Sequence, residues 1–197
     1  MSKSDPSAAK KERNKTIRWV VTIFFITILV SGTISLISDE VMASSGMAVA
    51  FLILLAIILV GIIFDIIGVA VTSADERPFH AMAARKVPGA RESISLLRNA
   101  ERVSSICNEV VGDICGVVSG SASATIAAQV LNNFEFTWPQ VVSLVMSALV
   151  AGLTVGGKAV GKTVAMNSAT KIVHGVGKFV YTIHHIPDLF RKKKKNS

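Results

Sequence analysis

The cations of this chain are fenced off from its apolar stretches. All 21 lysines and arginines fall into three blocks, residues 3–18, 77–102 and 158–195. None occurs from Trp19 to Glu76, or from Val103 to Gly157. A helix needs about 20 residues to cross a bilayer, so each gap has room for two crossings. The spacing predicts four spans, at residues 17–38, 47–72, 103–131 and 139–165. Charged residues make up 17% of the chain, below the roughly 25% of soluble domains. The expected fold is therefore all-α, an integral membrane helical bundle with four transmembrane helices.

Four crossings place all three basic blocks on one side, and the positive-inside rule makes that side cytoplasmic. The opposite loops contain Asp39, Glu40 and Glu135 and no basic residue. The expectation is a multi-pass plasma-membrane protein with both termini in the cytoplasm. A cleaved signal peptide is the competing reading of the first span, which has a basic start and an apolar core. Its length and extended polar start favour a span. Cys107 and Cys115 stand eight residues apart on one expected helix, about 12 Å along its axis, which exceeds disulfide reach.

Residues 1–16 read as a basic, disordered N-terminus, and residues 17–46 as the first span with its outer loop. Residues 47–166 form the remaining transmembrane domain, and 167–197 an amphipathic helix with a basic tail. Both termini are expected to attract anionic lipid headgroups. Nucleic acid is the weaker partner, because neither basic run carries aromatic residues on which bases would stack. Between the second and third spans, residues 74–84 and 92–102 read as helices around a break at Val87-Pro88-Gly89, giving a cytoplasmic juxtamembrane helical hairpin. Near the C-terminus Ile172, Val173, Val176, Phe179, Val180 and Ile183 recur at helical spacing, with Lys171, His174, Lys178 and His185 mostly opposite. That pattern suits a C-terminal amphipathic helix at the membrane surface.

Residues Gly156 to Thr163, GGKAVGKT, match the phosphate-binding pattern G-x-x-x-x-G-K-[ST]. A phosphate loop needs a strand ending in a Gly-rich turn at a helix N-terminus. The residues before Gly156, VVSLVMSALVAGLTV, instead read as a membrane span with no turn signal. A nucleotide enzyme is the weaker reading. The glycines Gly152, Gly156, Gly157 and Gly161, with Gly112, Gly116 and Gly120 in the third span, suit close helix approach. They predict that spans three and four pack on each other or across a homodimer axis.

Charges at membrane depth must pair or face a cavity. Those expected there are Asp65, Glu109, Asp113, Lys158 and Lys162. Glu109 and Asp113 stand at i,i+4 on one helix face, where two carboxylates invite a bound cation or a shared proton. The structural alternative is that Lys158 or Lys162 neutralises a carboxylate and locks the bundle.

Three stretches together resemble the transmembrane domain of the cyclin-M (CNNM)/CorB/CorC magnesium transporter family. Phe64-Asp65-Ile66-Ile67-Gly68 stands where that family has F-S-G-S-E-T, and Met82-Ala83 matches a common M-A further on. Leu96-Leu97-Arg98-Asn99-Ala100-Glu101-Arg102 matches LL-x-x-P-[DE]-R with Ala100 for Pro. The run from Gly157 to Ala165 matches G-E-x-x-P-K-x-x-A and retains Gly157, Lys162 and Ala165. The resemblance covers residues 51–165 and leaves the first span as an addition. It implies a dimeric divalent-cation transporter whose polar residues hold magnesium, with Gly68 at the position of one family carboxylate and Lys158 at that of a glutamate. Two outcomes follow: Lys158 occupies the cation's place in a non-transporting scaffold or regulatory protein, or Asp65, Glu109 and Asp113 form a rearranged metal site.

Overall fold

A computed structural model describes residues 6–134 and 138–193, and these are helical with short connections and no strand. Helix α1 (Pro6–Ser44) leads through residues 45 and 46 into α2 (Met47–Ser73). Two short helices follow, α3 (Arg77–Ala84) and α4 (Ala90–Arg98). The next long helix begins as α5 (Ala100–Ser105), widens into a π-helical segment (Ile106–Gly112) and continues as α6 (Asp113–Asn133). Helices α7 (Pro139–Asn167) and α8 (Ala169–Lys193) follow.

Among the described residues, four helices are long and apolar enough to cross a membrane: Thr16–Met42, Met47–Ser73, Ala100–Asn133 and Pro139–Asn167. This is the make-up of an integral membrane protein. The first helix departs from expectation at both ends. It starts at Pro6, so residues 6–16, expected to lack structure, are helical. It also runs on to Ser44, which puts Asp39 and Glu40 in the helix rather than in a loop. Glu135, expected in the second outer loop, lies outside the described residues, as do the side chains of the 191–195 tail.

Paired positions fix the directions of the spans. Gly61 of α2 lies against Cys115 of α6 and Gly68 lies against Asn108, so α2 and the third span run antiparallel. Ile62 meets Gly157 and Ile66 meets Gly161, so α2 and α7 run parallel. Helices α2, α6 and α7 all touch one another, while α1 rests mainly on α6. No residue in the most apolar stretch of α1 is buried.

Two apolar clusters hold the bundle. Met42, Leu54, Ile58, Ala122, Ile126 and Val150 join the four long helices at one end. Val71, Phe79, Leu97, Ala165 and Val173 tie α3, α4 and α8 to the opposite end of α2 and α7.

Local chemistry explains the connections at that second end. Asp75 Oδ1 accepts the Arg77 N–H at 3.1 Å where α3 begins. Pro78 falls in the first turn of α3, where a missing N–H costs nothing. At its far end, Val87 N–H donates to the Met82 carbonyl and Lys86 N–H to that of Ala83, both at 3.0 Å. These are the two bonds of a Schellman turn, and they hold Lys86 at φ 57°. Gly89, at φ 85°, then starts α4. Its lack of a side chain also matters, because a Cβ there would meet the Lys178 backbone nitrogen at 2.5 Å. Gly177 is equally constrained by Ser93 and the Gly89 carbonyl, so α4 and α8 meet backbone to backbone. Ser93 Oγ donates at this crossing to the Gly89 carbonyl at 2.8 Å and the Val173 carbonyl at 3.2 Å.

Helix α8 buries Val173, whereas Phe179 and Ile183 are exposed. The expected second hairpin helix, residues 92–102, is instead divided at Asn99 between α4 and α5.

Candidate functional site: a lysine between three spans

An ion pair between spans lies where α2, the π-helical segment and α7 meet. Lys158 Nζ of α7 stands 3.6 Å from Asp65 Oδ1 of α2. Their side chains are 26% and 17% exposed, so the ion pair is largely withdrawn from the surface. Gly112 makes room for the ammonium, since a Cβ there would come within 3.3 Å of Lys158 Nζ. A longer side chain at 112 would press on the charge.

Asn108 is the residue that the sequence reading passed over. Its amide lies directly on Gly68, where any Cβ would collide with it. Asn108 Nδ2 donates to Ser104 Oγ at 3.2 Å, while Oδ1 is buried without a partner. A π-helical turn in a longer helix frequently marks a functional position, and this one carries Asn108 and Gly112 on its inward side. The available signal was the pairing of a neutral polar residue with a glycine at i,i+4. Such a face is cheaper to bury than one with two carboxylates.

That choice of face corrects the expected metal site. Glu109 and Asp113 are each one residue beyond Asn108 and Gly112 and so are turned away from the face those two occupy. Both are exposed, and Glu109 accepts a hydrogen bond from Ser105 Oγ. They do not join Asp65: among the described residues no group of three or more His, Cys, Asp or Glu is placed to hold a metal ion. Lys162, one turn beyond Lys158, is also exposed.

The glycines divide in a way the sequence did not foretell. Gly157 and Gly161 admit Ile62 and Ile66 of α2, so their close approach is to the second span rather than the third. Gly116, Gly120, Gly152 and Gly156 have open space where a Cβ would be. They therefore take no part in close packing within the chain.

Residues 156–163 lie wholly within helix α7. Their N–H groups belong to a helical ladder, not to a turn that could wrap a phosphate.

A second polar contact joins α1 to α6. Asp39 accepts hydrogen bonds from Ser121 Oγ, at 3.2 and 3.1 Å to its two oxygens, and from Thr125 Oγ1 at 3.4 Å. Gln129 Nε2 donates to the Met42 carbonyl at 2.7 Å. The apolar run ends before Asp39, which gives the sequence no sign that α1 continues to Ser44 and carries this carboxylate to α6.

No family model, no curated protein and no solved structure matches the chain. The likeness to the CNNM/CorB transmembrane domain rests on the motifs quoted above.

Proposed function

We propose that this chain is a non-transporting membrane scaffold or regulatory protein, in which a tethered ammonium takes the place that a cation holds in a CNNM/CorB-like domain. The observation that carries this reading is the Lys158–Asp65 pair between α2 and α7. A tethered ammonium there stands in the place of the family's ion and repels a divalent cation, which requires a shell of oxygen ligands. In this reading the basic blocks lie in the cytoplasm, α3 and α4 form a juxtamembrane hairpin there, and α8 lies along the inner surface. The open glycines Gly116, Gly120, Gly152 and Gly156 offer a face for a homodimer.

The test is magnesium flux into proteoliposomes enclosing a magnesium-sensitive dye. The expected result is flux equal to that of protein-free liposomes. Magnesium entry through the native chain, lost in Asp65→Asn, would replace this reading with divalent-cation transport. One observation favours that second reading: the buried Asn108 Oδ1 is a free oxygen ligand near the lysine's end of the third span. Transport would then require Lys158 to swing away from Asp65.

A further inference from the structure

At the end of the bundle where the short helices lie, a cavity of about 350 Å³ opens between the α3–α4 connection and α8. Lys86, Pro88, Arg91, Glu92, Tyr181 and His185 are among the residues lining it. Lys86 and Arg91 belong to the α3–α4 side of this cavity and His185 to α8, all three exposed, and Glu92 is the one carboxylate among the lining residues. From these residues we infer that the cavity is a binding site for a phosphate-ester group.

The lining suits that chemistry. The Arg91 guanidinium presents a planar fork that fits phosphate oxygens, and the Lys86 ammonium adds a point charge. Tyr181 contributes a phenolic hydroxyl. His185 Nδ1–H donates to the Tyr181 carbonyl at 2.9 Å, which leaves Nε2 as the ring's other polar atom. The two rings also stack, with centroids 4.0 Å apart, so the imidazole is oriented by two contacts. Helix α4 adds the positive end of its dipole, with Gly89 providing no side-chain acceptor for its first turn.

Lys86 is placed by backbone that ordinarily selects glycine. It is the one non-glycine residue with positive φ among the described residues. Glycine would close the same Schellman turn without steric cost, but would remove a cation from the cavity wall.

The phosphate could be carried by a lipid headgroup or by a soluble molecule, and both share this chemistry. The site does not depend on the Lys158–Asp65 reading, because no residue is common to the two.

The test uses the full chain in phosphatidylcholine nanodiscs. One arm adds phosphatidylinositol 4-phosphate to the bilayer, and the other adds free inorganic pyrophosphate. Native mass spectrometry reads lipid retention, and thermal unfolding reads binding in both arms. Lys86→Ala and Arg91→Ala should each weaken binding about fivefold, the effect of one basic group at a charged surface. Glu92→Gln should strengthen it, an outcome that misfolding cannot imitate. Lys171→Ala, a cation on α8 outside the cavity lining, should leave binding unchanged. A response confined to the lipid arm identifies a headgroup site, and a response to pyrophosphate a soluble-ligand site. Binding in neither arm overturns the inference, as does equal weakening by Lys171→Ala.

Discussion

At the scale of single residues, the decisive position is Lys158, whose nature was legible in the sequence although its partner was not. Glu109 and Asp113 looked the stronger candidates because they stand one turn apart. Asn108 and Gly112 have the same spacing and take the inward face, leaving Lys158 to Asp65. A charge stripped of its counter-ion in a low-dielectric setting costs more than a pair replaced as a whole. Asp65→Asn or Lys158→Met alone is therefore expected to lower stability by about 2–3 kcal/mol, somewhat below the loss for a fully buried pair. The double variant Asp65→Leu/Lys158→Met should recover most of that loss. Thermal unfolding in detergent measures it, and a double variant no more stable than the single ones would show that the pair is not coupled.

At the scale of elements, hydropathy revealed the long helices because a bilayer-length apolar run has few alternative structures. Their ends were less legible. Asp39 and Glu40 look like loop residues, yet α1 continues through them because Ser121 and Thr125 receive the Asp39 carboxylate. The π-helical segment leaves no hydropathy signature, since it changes the hydrogen-bond register without changing composition. Glycine motifs marked possible close approach but could not tell which neighbour came close. The structure makes the distinction measurable. Gly161→Val should destabilise the α2–α7 contact by about 1–3 kcal/mol, because Ile66 must move. Gly156→Ala enters open space within helix α7 and should raise monomer stability by about 0.5–1 kcal/mol, the difference in helix propensity. Equal effects of the two, read by unfolding of the monomer in detergent, would contradict the assigned helix faces.

At the scale of the molecule, the fenced cations and the four long helices describe one arrangement from two sides. The charges predict orientation and the helices supply the crossings. In cells, a single cysteine at Ser45, with Cys107 and Cys115 replaced by serine, should react with an impermeant thiol reagent from outside. One at Ser168 should react only after permeabilisation. The reverse pattern would invert the topology. The polar tie between α1 and α6 has a consequence for biosynthesis. Ser121 follows Asp39 by 82 residues, which at about 5–20 residues per second amounts to about 4–16 s of synthesis. Throughout that interval the nascent first helix carries a carboxylate whose donors do not yet exist. The polar tie between α1 and α6 thus forms only after the contact of α1 with α2 has become available.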